Sequence, residues 1–163
     1  MATVHLVCGF LGVGKTTFAV ALARELGAVR FSVDELYLRL FAEGPTYELD
    51  QPSLDRLFAA LDDLWPQVLQ AGTDVVLDFG FWSRKLRDSV RERAQLVGST
   101  WHLYWVRCAD EVALGRCLTR NGSPGAFLIS EQGFWDLKAR FECPGPDEVS
   151  EIVETGQQGP APM

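Results

Sequence analysis

The chain has 163 residues, 47% of them hydrophobic, which is one domain's worth with a full-sized core. A formal net charge of −7 argues against a broad, sequence-independent hold on nucleic acid, which needs lysines and arginines to displace counterions; a local basic cleft stays open. No apolar run reaches membrane-spanning length and the first residues run straight into a strand pattern, with no signal peptide, so no membrane partner is expected and the expected compartment is the cytoplasm.

In chain order, the patterns predict a strand over 4–8, a helix over 16–26, a strand over 28–32, and helices over 34–41 and 53–70. A strand over 74–79, a helix over 83–97, a strand over 101–107, helices over 110–119 and 131–141 and a fifth strand over 149–154 follow. The run Val75-Val76-Leu77 reads as a strand covered on both faces, and the alternation implies an α/β fold with a parallel sheet and right-handed crossovers. Turn-rich residues 43–52 and the Asn-Gly-Ser-Pro-Gly stretch at 121–125 interrupt the pattern, and the Gly, Gln and Pro tail 156–163 is expected to be disordered. Cys8, Cys108, Cys117 and Cys143 show no C-x-x-C spacing and are expected as buried free thiols.

Between the first strand and first helix lies Gly9-Phe10-Leu11-Gly12-Val13-Gly14-Lys15-Thr16-Thr17, which fits G-x-x-x-x-G-K-[ST] in the context that gives it meaning. Glycines let the backbone N–H groups of Gly9, Leu11, Gly12, Val13 and Gly14 converge on phosphate oxygens, and the helix adds its positive end. Lys15 can reach the β- and γ-phosphates, and Thr16, with Thr17 beside it, offers a hydroxyl to Mg²⁺. ATP and Mg²⁺ are therefore the expected ligands.

Ligands of open α/β sheets sit beyond the carboxyl ends of the strands. Past the second strand comes Asp34, placed either to cap the following helix or to accept the proton of an acceptor hydroxyl, with Glu35 as a first-turn acid. Asp78 ends the third strand, as a carboxylate that organises Mg²⁺ through water does, and is a rival for the base role. Beyond it, Phe81 and Trp82 could wall an acceptor pocket, and Arg84 and Arg87, in an otherwise solvated basic run, are candidate substrate contacts. Arg116 and Arg120 lie one helical turn apart before the 121–125 break, suited to a lid near 116–130 that closes arginines over the nucleotide. The letters Asp-Phe-Gly at 78–80 also spell a protein-kinase signature, but no H-R-D loop and no G-x-G-x-x-G accompany them.

The segments GFLGVGKTT, FSVDEL, VVLDFGFWSR, the helix with Arg116 and Arg120, and the late FECPGPDE together resemble the bacterial P-loop kinases of the AAA_33 group. These are similar to polynucleotide 5′-hydroxyl kinases, zeta toxins and chloramphenicol phosphotransferases. The resemblance spans the chain to about residue 154 and implies one P-loop kinase domain, 1–155, with a three-layer five-stranded parallel sheet in the order 2-3-1-4-5. It implies that Asp34 activates the acceptor hydroxyl and that Arg116 and Arg120 clasp the transferring phosphate. Phe79 follows Asp78, so the acidic pair that an AAA motor uses to activate water is missing.

The expectation is an ATP-dependent kinase acting on a hydroxyl of a small-molecule acceptor, with a nucleic-acid end as the nearest alternative enzyme substrate. A non-catalytic ATP-binding regulatory module is the reading from another class, and a toxin acting on a sugar nucleotide a further one. Asp34 discriminates, because a switch has no need of an acceptor base. No N-K-x-D guanine motif and no L-S-G-G-Q run occur.

Overall fold

The computed structural model describes residues 1–41, 50–149 and 151–156. Eleven elements follow one another: β1 (Thr3–Cys8), α1 (Lys15–Leu26), β2 (Val29–Ser32), α2 (Val33–Phe41), α3 (Gln51–Gln70), β3 (Val75–Gly80), α4 (Arg84–Leu96), β4 (Thr100–Arg107), α5 (Asp110–Arg120), α6 (Glu131–Lys138) and β5 (Glu151–Glu154). The strands form one sheet in the order β2-β3-β1-β4-β5, every pair parallel. The expected fold class, strand count and order all hold; of the turn-rich stretch 43–52, residues 43–49 lie outside the described residues, as does the tail 157–163, while Gln51 and Pro52 already belong to α3.

Three layers follow from side-chain alternation, since successive residues of a strand point to opposite faces. Leu6, Cys8, Leu77 and Leu103 face a core shared with Trp65 and Leu69 of α3 and Val90 and Ala94 of α4. Val7, Val76, Tyr104 and Val106 face the other core, with Ala19, Leu22 and Ala23 of α1, Ala113 and Cys117 of α5 and Phe134 of α6. A third cluster joins Val33 and Tyr37 of α2 to Leu57 and Leu61 of α3. Helix starts are set by side-chain acceptors: Asp50 takes the Ser53 N–H at 2.9 Å, Ser83 the Leu86 N–H at 3.2 Å, and Ser130 the Gly133 N–H at 3.0 Å. Among the described residues no helix is long and apolar enough to cross a membrane. All four cysteines are free, but only Cys8 and Cys117 are buried; Cys108 is half-buried and Cys143 exposed, because the segment carrying Cys143 runs over the surface after α6.

Candidate nucleotide and acceptor site

The loop from Gly9 to Gly14 is clamped on both sides. Its Gly9 N–H donates to the Gly80 carbonyl at 3.1 Å, tying it to the end of β3. A Cβ on Gly9 would lie 2.4 Å from the Val106 carbonyl oxygen, and one on Gly12, whose φ is +73°, would lie 2.3 Å from the Ala113 carbonyl oxygen of α5. Phe10 is buried among Trp82, Phe134 and Phe141, with ring centroids 5.1, 5.0 and 5.9 Å away. Val13 is also buried, so of the two apolar loop positions expected to bind ligand, Leu11 lines the cleft while Val13 can contribute only its backbone. Gly14 stands in the left-handed conformation before α1, and no side chain caps that helix. Its first N–H groups are left to a ligand, the arrangement that suits an anion.

The cleft of about 900 Å³ above this loop is lined by Lys15, Thr16, Thr17, Asp34, Arg116, Arg120 and Thr155, among others. Lys15 folds back so that Nζ donates to the Phe10 carbonyl at 2.6 Å. Burial pulls its ammonium below the usual lysine range, and the nearby Asp78 and Asp34 carboxylates act against that shift. Asp78, buried two residues before the end of β3, accepts from Arg30; burial raises its pKa, while Lys15 and Arg30 hold it down. A threonine hydroxyl and a carboxylate are hard oxygen donors that fit Mg²⁺. Among the described residues no cluster of three or more His, Cys, Asp or Glu is placed to hold a metal ion.

Asp34 does not cap α2. That role falls to Ser32, whose Oγ accepts the Glu35 N–H at 3.3 Å, so the Asp34 carboxylate is released toward Lys15 and Arg120. Asp34 is exposed to the cleft, where partial desolvation by the surrounding protein raises its pKa, with Lys15 and Arg120 pulling it down and Glu35 pushing it up. Glu35 is more than a dipole-complementing acid: both its oxygens accept from Arg30 Nη2 at 2.7 Å, and Arg30 Nη1 donates to Asp78 Oδ2 at 3.1 Å.

The two arginines of α5 share a face and differ in their contacts. Arg116 Nη1 donates to the Gly12 carbonyl and to Thr155 Oγ1, both at 3.2 Å, and Thr155 Oγ1 donates to the Val13 carbonyl at 2.5 Å. Arg116 thus brackets the phosphate-binding loop from outside. Arg120, exposed, donates to Cys117 Sγ at 3.6 Å and acts electrostatically on both Lys15 and Asp34. The 121–129 loop that follows is closed at its base, because Asn121 donates to the Ile129 carbonyl at 2.7 Å and accepts the Ile129 N–H at 3.0 Å.

Trp82 is half-buried beside the site. Its ring packs against Phe10 and Phe141, with centroids 5.1 and 6.4 Å away, and its Nε1 lies 3.3 Å from the point where Gly80 would carry a Cβ. Two other expected acceptor contacts are corrected. Phe81 is completely buried on the α3/α4 side of the sheet, with φ at +54°, and walls nothing. Arg87 is buried as well, its Nε 2.9 Å from Glu148 Oε1 and its Nη1 2.9 Å from the carbonyl oxygens of both Phe81 and Glu142. Every donor direction of that guanidinium that meets a protein acceptor is spent on holding the β3–α4 turn to the segment after α6. Arg84 is exposed and paired with Asp147 at 2.5 Å.

Arg30, Ser32, Asn121, Thr155 and Glu148 were not singled out by sequence reasoning. Thr155 follows β5 directly, so the rule of interrogating strand ends would have reached it. Arg30, the sole charge in a four-residue strand, carried a weaker signal.

The AAA_33 family model, described as an AAA domain, matches residues 4–144. A solved structure from Chloroflexus aurantiacus j-10-fl is 18% identical with a TM-score of 0.72, covering 94% of this chain and 86% of its own. Kti12 of Chaetomium thermophilum, solved in complex with ADP-AlF3, is 20% identical with a TM-score of 0.68 over 95% and 89% of the two chains. A gluconokinase from Sinorhizobium meliloti 1021 is 20% identical with a TM-score of 0.67 over 96% and 83%. At such identities the likeness is one of fold. No curated protein sequence matches the chain.

Proposed function

The chain belongs to the AAA_33 family, and from that premise we propose that it is an ATP- and Mg²⁺-dependent phosphotransferase acting on a hydroxyl of a small-molecule acceptor. The observation that carries this reading is the release of the Asp34 carboxylate from helix capping, in a cleft it shares with Lys15 and Arg120. A nucleotide switch needs the phosphate-binding loop but not a free carboxylate opposite its lysine. The kinase named among the similar structures and the ADP-AlF3 complex of another support the same reading by analogy.

In this reading the backbone N–H groups of 9–14 and the open N-terminus of α1 hold the phosphates, and Lys15 leaves the Phe10 carbonyl to meet them. Thr16 and Asp78 would hold Mg²⁺, which neutralises phosphate charge when bound. Asp34 accepts the acceptor hydroxyl's proton as the acceptor oxygen bonds to the γ-phosphorus and the bond from that phosphorus to the ADP oxygen breaks. Arg120 places positive charge over the moving phosphoryl group, and Arg116 keeps the loop in shape from behind. Asn121 marks the hinge of a lid spanning 116–130.

The test is Asp34→Asn in an acceptor-stimulated ADP-release assay. Nucleotide binding should survive while transfer falls by about two to four orders of magnitude, the usual contribution of a positioned general base. Transfer at the wild-type rate would move the base role to Asp78. A broad acceptor screen with no ADP release above background would favour a regulatory ATP-binding module.

A further inference from the structure

Gly12 and Gly14 stand at φ +73° and +94°, with Val13 between them on the ordinary negative side. Backbone that alternates the sign of φ in this way turns successive N–H groups toward one concavity, which suits an anion. A planar trans peptide sends its carbonyl the opposite way from its N–H. The Gly12 carbonyl therefore opposes the Val13 N–H, and the Val13 carbonyl opposes the Gly14 N–H. Whatever holds those two carbonyls aims those two N–H groups.

Both carbonyls are held by one linked pair of side chains. Arg116 Nη1 donates to the Gly12 carbonyl and Thr155 Oγ1 to the Val13 carbonyl, and the same Nη1 donates to Thr155 Oγ1 at 3.2 Å. The threonine hydroxyl thus spends its proton on the loop and a lone pair on the arginine, which joins the two clamps. Its position is set by the sheet, because the Thr155 N–H donates to the Arg107 carbonyl, at the end of β4, at 2.9 Å. A hydroxyl anchored in this way can keep a loop 142 positions earlier in shape before any nucleotide arrives. The side chain also packs there: the point where Gly14 would carry a Cβ lies 3.6 Å from Thr155 Cγ2 and 3.8 Å from Arg116 Nη1. Thr155 and Arg116 both line the cleft above the loop.

Resting on the reading that this loop binds the triphosphate, we infer that Thr155 is a positioning residue for the phosphates, its hydroxyl turning the Val13 and Gly14 N–H groups toward the anion by pinning the carbonyls behind them. Without that hydroxyl the Val13 carbonyl loses its donor and Arg116 loses an acceptor, so ligand binding must itself order the loop. Such pre-organisation serves the bound ground state and the transition state alike. Its loss should therefore raise KM for ATP more than it lowers kcat.

The experiment is calorimetric titration of the full chain, with Mg²⁺, by two probes: ATP and inorganic tripolyphosphate, which has the phosphates but no nucleoside. Wild type, Thr155→Val and Thr155→Ser are compared, each checked for folding by thermal melt. Thr155→Val, which keeps the shape and removes the hydroxyl, should weaken both probes by a similar factor of about tenfold. Thr155→Ser, which keeps the hydroxyl, should bind both within about twofold of wild type. Weakening of ATP alone would place Thr155 against the nucleoside and overturn the inference while leaving the loop reading standing. Unchanged binding of both probes by Thr155→Val would overturn it too, and a serine variant as weak as the valine one would trace the loss to the methyl group against Gly14. Binding of neither probe by folded wild type would overturn the assignment of the loop, and the inference with it. Should Thr155→Val fail to fold, Thr155→Ala carries the same comparison.

Discussion

Arg87 and Glu148, 61 positions apart, form an ion pair in which each side chain is only 1% exposed. The pair pins the segment that leads into β5 against the turn that follows β3. Because Arg87 also donates to the Phe81 carbonyl, it supports the one non-glycine residue with positive φ among those described. Removing one partner leaves a charge buried without compensation, which costs about 3–5 kcal/mol. Arg87→Met and Glu148→Gln should each lower the unfolding free energy from urea titration by that order, and the two combined should be less damaging than the sum of the single losses. Additive losses would mean that the two side chains act independently.

That pair also sets a pH dependence. Burial works to raise the pKa of Glu148, but the hydrogen bonds and charge of Arg87 prevail and hold it below the usual glutamate range. A carboxylate whose folded-state pKa is depressed contributes stability above its unfolded value, near pH 4, and loses it as pH falls through the folded one. The wild-type melting temperature should therefore drop on acidification below about pH 4 more steeply than that of Glu148→Gln. Parallel curves would show that another carboxylate governs acid unfolding.

In the proposed function, nucleotide binding is expected to depend on Lys15. At about a hundredfold excess over the dissociation constant, ligand linkage stabilises a protein by about 2.7 kcal/mol, which is readily seen as a rise in melting temperature. Lys15→Ala should lose that rise with ATP and Mg²⁺ and keep its ligand-free stability within about 1 kcal/mol, since the ammonium's hydrogen bond is to a single loop carbonyl. Equal thermal shifts in wild type and variant would sink the assignment of the loop.

The α5 arginines should separate by effect. Arg120→Ala is expected to slow transfer about a hundredfold or more with little change in stability, because among the described residues its hydrogen bond is to a thiol and its charge acts on groups in the cleft. Arg116→Ala should weaken nucleotide binding as well, since the Gly12 carbonyl and Thr155 hydroxyl lose their common donor. Full activity in both variants would make α5 an ordinary solvated helix.

Asp34 makes a kinetic prediction of opposite sign to that for Glu148. Partial desolvation in the cleft raises its pKa, and a base works only when deprotonated, so kcat/KM should rise with pH through a point above the usual aspartate range. The residual rate of Asp34→Asn should lack that rise. Persistence of the same acidic limb in the variant would assign it to Asp78, whose pKa burial also raises.

The elements were legible in the sequence by itself, and so was the proposed nucleotide half of the site. Strand and helix periods are local, and the phosphate-binding loop is one contiguous stretch whose glycines, lysine and threonine act through their own backbone and side chains. Asp34, Asp78, Arg116 and Arg120 were reachable too, because strand ends and helical spacing place them without knowledge of any partner. Which groups are left free to act was decided only by the tertiary structure. Whether Arg30 faces a substrate or Glu35 and Asp78, and whether Arg87 and Phe81 point into the cleft or into the core, depend on contacts between separate elements, whereas the capping of α2 by Ser32 is a local contact with Glu35 three residues on. The basic run from Arg84 shows why: its helical spacing is that of a solvated face, and Arg87 is buried because Glu148 and two carbonyls, each brought in by the fold, satisfy it there. A buried charge is tolerable only where partners exist, and partners 61 residues away leave no trace in local pattern.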